Sequence, residues 1–174
     1  MKKLKSTWYN MAIVLTGIAV VAGAALGYVN SITAPTIEAL KVQQEKEAEQ
    51  EVLNGQEGSA IKITDPKGFG GALTVMVGLA KDGTILGYKV LESSETPGLG
   101  AKAQDWFQKG QKGDIIGKQA GKLEVSKDGG EVDAITASTI TSRAFLRCIN
   151  AAYKTLSEND AQSGASPQAK PNNN

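Results

Sequence analysis

The stretch Leu73–Leu91, LTVMVGLAKDGTILGYKVL, decides the fold. Leu73, Val75, Val77 and Leu79 alternate with Thr74 and Met76, so the four large aliphatic residues share one face of a strand. Asp82-Gly83 then supplies a hairpin turn into a second run, Thr84–Leu91. Two runs joined by so short a turn must be antiparallel. Downstream, the pattern predicts a short helix over Asp105–Lys109 carrying Trp106 and Phe107, and a third extended run near Lys122–Ser126. Ile140, Ala144, Phe145, Cys148, Ala152 and Leu156 recur at helical spacing and define a C-terminal helix. Ser157–Asn174 is Ser, Gln, Ala, Pro and Asn without periodicity and is expected to be disordered. Upstream, the period-two pattern begins at Ala60, and Asn54–Ser59 breaks a polar helical segment headed by Pro35. Its apolar positions Ile37, Leu40 and Val52 are sparse, which predicts a solvated stalk. The fold class is α+β, an antiparallel sheet packed by helices.

A different composition governs the beginning of the chain. Lys2, Lys3 and Lys5 precede a run from Ser6 to Ile37 that holds no Asp, Glu, Lys or Arg. Within it Met11–Val29, MAIVLTGIAVVAGAALGYV, is long enough at ~1.5 Å per residue to cross most of a ~30 Å hydrocarbon core. Lysines on the N-terminal flank put that end in the cytoplasm and everything after Val29 outside. All 18 Asp and Glu follow Ile37, in keeping with export of that part. A cleavable signal peptide ending at Ala22-Gly23-Ala24 is the alternative reading. Against it stand the apolar continuation through Leu26 and Val29 and the aromatic pair Trp8-Tyr9, placed as an interfacial belt. Gly23 and Gly27 are spaced as GxxxG, with Ala19 on the same face, which allows close approach of another membrane helix. The expected organisation is a basic cytoplasmic N-terminus (1–10), a single transmembrane anchor (11–29), a helical stalk and linker (30–58), an exported domain (59–156) and a tail (157–174).

Composition excludes much chemistry. The 174 residues include no His and one Cys, Cys148. A histidine-based triad, a His-ligated haem and a histidine acid/base are therefore impossible within the chain. One thiol makes neither an internal disulfide nor a four-thiolate iron–sulfur site, and on the apolar stripe of its helix Cys148 reads as a small core residue. Redox work in such a chain requires an organic cofactor. With 19 Lys and Arg against 18 Asp and Glu, a net charge of +1 gives no reason to expect nucleic acid.

Glycine-rich pieces occur at Gly68-Phe69-Gly70-Gly71, Pro97-Gly98-Leu99-Gly100 and Gly129-Gly130, but none has the spacing of a nucleotide-binding loop. The segment Asp133–Ser142, DAITASTITS, places five hydroxyl residues ahead of the last helix, behind an acidic residue. Capping of that helix by Thr139 or Thr141 accounts for it. So does an exported hydroxyl at a helix N-terminus, where free amides and the dipole favour an attached phosphate.

Three motifs in order, Lys67–Gly71, Glu95–Gly100 and Asp133–Thr141, behind an N-terminal anchor, resemble the FMN-binding G subunit of the Rnf-type ion-translocating electron transport complex. The related C subunit of the sodium-pumping NADH:quinone reductase shares them. The resemblance spans roughly residues 1 to 155 and implies an FMN-binding domain that relays electrons within a membrane-bound ferredoxin:NAD+ oxidoreductase. It implies FMN joined covalently to Thr139 through a phosphoester, with Asp133, Thr136, Ser138 and Thr141 completing that motif. Glu95, Thr96, Pro97, Gly98, Leu99 and Gly100 would shape a loop against the flavin, and Trp106, Phe107 or Tyr88 would flank the ring or belong to the core. Implied partners are the other membrane and iron–sulfur subunits and a flavin transferase during maturation. The implied location is the cell membrane, single-pass, with the flavin domain on its outer face. Ala137 stands where the family has glycine and Ser138 where it has alanine; a methyl at 137 restricts the backbone if the glycine serves a positive φ. A C-type quinone-reductase subunit and a flavin-free exported assembly or binding subunit are the alternatives. An independent hydrolase lacks a base beside any nucleophile.

Overall fold

The computed structural model describes residues 8–163, so Lys2, Lys3, Lys5 and the end of the tail lie outside the described residues. The chain divides into two compact units, at 1–43 and 44–174.

The described residues of the first unit are helical. Helix α1 spans Trp8–Leu53, and its beginning exposes Ile13, Leu15, Val21 and Leu26 on all sides. An 18-residue window reaches a mean hydropathy of 2.2 with no protein covering it, long and apolar enough to cross a membrane. Pro35 does not open a new helix, as its surroundings in the sequence suggest, but sits inside α1. Proline removes one hydrogen bond from the preceding turn. There the Ser31 hydroxyl donates to the Tyr28 carbonyl at 2.8 Å and the Thr33 hydroxyl to Val29 at 2.9 Å, side-chain bonds of the kind that let helices absorb a proline.

In the second unit, strands β1 (Ser59–Asp65), β2 (Leu73–Leu79) and β3 (Ile85–Ser93) form an antiparallel sheet in the order β1-β2-β3. Ser59 pairs with Leu79 and Asp65 with Leu73; on the other side Leu73 pairs with Ser93 and Leu79 with Ile85. The predicted hairpin is present. Asp82 accepts the Thr84 amide and hydroxyl, both at 2.9 Å, and Gly83 takes the positive φ of 85° that the turn requires.

Every residue of β2 is buried, although alternation alone would leave one face wet. Leu73, Val75, Val77 and Leu79 face the main core with Phe145, Cys148 and Ile149 of α3 (Thr139–Ser163). On the opposite face Met76 packs with Ala48 and Val52 from the last turns of α1. The paired glycines Gly78 and Gly87 let this helix end approach, since a Cβ on either would collide with the Val52 carbonyl. The stalk expectation is corrected accordingly: Ile37 and Leu40 are exposed, but Ala48 and Val52 are core. Asn54 and Gly55, both at positive φ, terminate α1 at Leu53.

Three further boundaries differ from expectation. Helix α2 is Ala103–Trp106, preceded by a 3-10 turn at Gly100–Lys102, so it starts earlier than Asp105 and ends before Lys109. Lys122–Ser126 is not a strand. The Asn150 side chain occupies its backbone instead, accepting from the Gly121 and Leu123 amides at 3.1 and 3.0 Å and donating to the Leu123 carbonyl at 2.9 Å. A single bridge, Val125 to Val132, is all that remains of the strand pattern. Finally α3 runs to Ser163, so the first seven residues of the expected disordered tail are helical.

Candidate functional site

Three connections meet at one end of the second unit: the turn after β1, the loop after β3, and the segment leading into α3. The buried Glu95 carboxylate joins them. One oxygen accepts the Phe69 amide at 2.8 Å and the other accepts the Thr141 hydroxyl at 2.9 Å. Gly100 lies so close that a Cβ would come within 2.5 Å of Glu95 Oε2 and 2.7 Å of Thr141 Oγ1. The turn after β1 is held separately. Arg147 of α3 donates to both Asp65 oxygens, at 2.6 and 3.3 Å, and to the Lys67 carbonyl at 3.2 Å, while the Lys67 amide donates to Asp65. Burial alone would raise the Asp65 carboxyl, but the Arg147 and Lys67 hydrogen bonds hold it below its ordinary 3.8.

Between these tied loops lies a cavity of about 330 Å³, lined by Phe69, Glu95, Leu99, Thr139, Ile140 and Thr141 among others. This is the size of a small-molecule site, ~300–1,000 Å³. Phe69, Leu99 and Ile140 are 69%, 42% and 49% exposed. Outside α1 they are the exposed large hydrophobic residues among the described residues, and all three border this one cavity. Exposed apolar side chains gathered at a concavity mark a ligand site.

The hydroxyls of the Asp133–Ser142 segment are sorted by this geometry. Ser138 lines the cavity but is only 8% exposed, and its carbonyl accepts both the amide and the hydroxyl of Ser142. Thr141 is 1% exposed and its hydroxyl is spent on Glu95. Thr139 opens α3 at the cavity, half-buried, and its Oγ1 accepts from Lys127 Nζ at 3.4 Å. Thr136 is exposed and does not line the cavity. Asp133 faces outward, accepting the Ser126 hydroxyl at 3.3 Å through its side chain and the Trp106 indole at 2.8 Å through its carbonyl.

In the loop after β3, the Thr96 carbonyl accepts the Leu99 and Ala101 amides, Pro97 is exposed, and Gly98 has φ 77° with open space around it. Of the candidate flanking aromatics, Phe107 and Tyr88 are core, and Trp106 is partly buried against it. Phe107 stacks on Phe145 with centroids 4.4 Å apart, and the Tyr88 hydroxyl donates to the Ala103 carbonyl at 2.9 Å. Burial raises the Tyr88 phenol well above its ordinary value and pushes the Cys148 thiol up to about 12, consistent with an inert core cysteine. Sequence reasoning missed Phe69 and Ile140 as cavity residues and Lys127 beside Thr139. Phe69 sits inside the Lys67–Gly71 motif and was legible there; Lys127 carried no signal.

Ala137 adopts φ 61°. A left-handed conformation costs a residue with a Cβ roughly 1–2 kcal/mol, and about 0.4–1 kcal/mol of that is offset by the smaller chain entropy alanine has when unfolded. Ala137→Gly is therefore expected to stabilise the protein by about 0.5–1 kcal/mol, read as a higher urea midpoint with unchanged slope. A lower midpoint would show that the loop does not hold this conformation in solution.

Residues 68–154, half of the chain, match the FMN-binding domain family. The chain is 35% identical to the G subunit of the ion-translocating oxidoreductase complex of Vibrio atlanticus over 143 residues, covering 79% of this chain and 68% of the relative. It is 31% identical to the G subunit of the Na(+)-translocating ferredoxin:NAD(+) oxidoreductase complex of Acetobacterium woodii, covering 90% and 98%. The corresponding Salmonella typhi protein is 41% identical over 96 residues, about half of each chain (53% and 47%). The chain belongs to the family of FMN-binding G subunits of ion-translocating oxidoreductase complexes.

Proposed function

We propose that this protein is the electron-relay subunit of a membrane-bound, Rnf-type ferredoxin:NAD+ oxidoreductase and carries FMN on Thr139 through a phosphoester. The observation that carries the linkage is the relative exposure of the three hydroxyl residues of the Asp133–Ser142 segment that line the cavity: Ser138 is 8% exposed, Thr141 is 1% exposed and engaged by Glu95, and Thr139 is half-exposed at the start of α3. The residues present suit FMN. The helix N-terminus offers amides and a favourable dipole to the phosphate, and Phe69, Leu99 and Ile140 offer apolar walls to a flat ring. FMN supplies one-electron redox chemistry that no side chain of this chain provides. The protein's part is to orient the ring and shield its faces from water, which requires no acid or base and fits a chain without histidine.

Attachment by a flavin transferase balances without a redox step. A bond forms between Thr139 Oγ1 and the phosphorus of the FMN half of a flavin dinucleotide, the pyrophosphate bond breaks, AMP leaves, and the hydroxyl proton passes to solvent. Asp133 and Thr136 lie on the outer strap of the same segment, where a transferase reaches them. The membrane and iron–sulfur subunits of the complex are the redox neighbours, and the lysines before α1 keep the N-terminus cytoplasmic with the flavin domain on the outer face.

Co-expression with a flavin transferase in an exporting host tests the reading. The membrane fraction should contain a yellow protein whose band fluoresces after denaturing electrophoresis, and a reporter fused behind Asn174 should be active only outside the cytoplasm. A colourless protein or a cytoplasmic reporter would contradict it.

A further inference from the structure

Lys127 belongs to no motif that the sequence singled out, yet its Nζ lies 3.4 Å from Thr139 Oγ1. The 3-10 turn Ser126–Asp128 presents it, and both flanking residues are tied down. Ser126 donates to the Asp133 carboxylate at 3.3 Å. Asp128 receives a two-pronged bond from Arg143 of α3, at 2.6 Å on each oxygen. That pairing holds the Asp128 carboxyl below its ordinary range and raises Arg143. The carboxylates of Asp128 and Asp133 thus have partners of their own. The Lys127 ammonium donates to the acceptor hydroxyl.

We infer that Lys127 is a positioning residue that holds the phosphoryl group joined to Thr139. The inference rests on the attachment site proposed above. A threonine phosphodiester keeps one negative charge at neutral pH, and an ammonium already within reach of the bridging oxygen gains a charge-assisted bond once that charge arrives. A lysine here also explains a role for Asp133 that does not require contact with the flavin: it fixes Ser126 and thereby the turn that aims Lys127.

The test compares wild type, Lys127→Gln and Lys127→Arg, each incubated as full-length protein with flavin transferase and FAD. Fluorescent-band formation is followed over time at low and high salt, and the phosphodiester by 31P NMR. Lys127→Gln should flavinylate about tenfold more slowly at low salt, with the difference narrowing as salt screens the charge. Its 31P resonance should shift and sharpen, Lys127→Arg should restore rate and resonance, and thermal unfolding of the flavin-free proteins should coincide because the side chain is exposed. Wild-type rate and an unchanged 31P resonance in Lys127→Gln would overturn the inference while leaving Thr139 as the site. Absence of a covalent flavin in wild type would overturn the attachment itself and the inference with it.

Discussion

Thr139→Ala should abolish the covalent flavin, leaving no fluorescent band after denaturation, whereas Ser138→Ala should keep it. Both residues present a hydroxyl within one position of each other, so composition cannot separate them. Exposure does: both line the cavity, but Ser138 is only 8% exposed, while Thr139 is half-exposed and meets Lys127. A transferase must bring a flavin dinucleotide in line with the oxygen it esterifies, and only an accessible oxygen admits that approach. Thr139→Ser retains the hydroxyl and should keep the band. Thr141→Val should keep it too, at a cost in stability of about 1–3 kcal/mol for the lost bond to a buried carboxylate. Peptide mass spectrometry of the tryptic segment containing Thr139 locates the adduct. A band lost in Ser138→Ala but present in Thr139→Ala would move the site by one residue.

The long apolar helix, the hairpin and the C-terminal helix are legible because each expresses one dominant pattern: an unbroken apolar run, strict alternation around Asp82-Gly83, and the stripe from Ala144 to Leu156. What failed did so for tertiary reasons. Val52 reads as a stray apolar residue on a polar helix, and becomes core because Gly78 and Gly87 clear a place for it on the far side of the sheet. Lys122–Ser126 has strand composition, yet a side chain from α3, Asn150, takes its backbone bonds before any strand can. Ile140 shares the helical spacing of the buried stripe of α3 and instead borders the cavity, half-exposed, while Thr141 and Ser142 beside it are buried. The motif residues were identified by resemblance, but their division of labour was not: spacing in DAITASTITS cannot tell the hydroxyl bound to Glu95 from the one left accessible. The condition set at Ala137, that a glycine there serves a positive φ, is met in the structure, where Ala137 has φ 61°.

Glu95→Ala should loosen the site more than any other single change in the loop after β3. The carboxylate is 7% exposed and engages both walls of the cavity, accepting the Phe69 amide on one oxygen and the Thr141 hydroxyl on the other. Truncation strands an amide and a hydroxyl, each of which loses a bond to a charged acceptor worth roughly 1.5–3 kcal/mol. Relaxation and water entry recover part of this, so a loss of about 3 kcal/mol in unfolding free energy is expected for the flavin-free protein. Glu95→Gln separates shape from charge. Its carbonyl oxygen still accepts from Phe69 and its amide donates to the Thr141 oxygen, so a cost of about 1 kcal/mol is expected. In the flavinylated proteins the two variants should diverge further. The Phe69 turn is anchored at its far end by Arg147 and Asp65, so losing Glu95 frees the end nearest the cavity and lets the ring rotate against its wall. Visible circular dichroism of the flavin should therefore collapse in Glu95→Ala and persist in Glu95→Gln, with the covalent band present in both. An alanine variant within about 0.5 kcal/mol of wild type, the level of an ordinary surface substitution, and with undiminished flavin dichroism, would mean that Phe69 and Thr141 hold their places without the carboxylate.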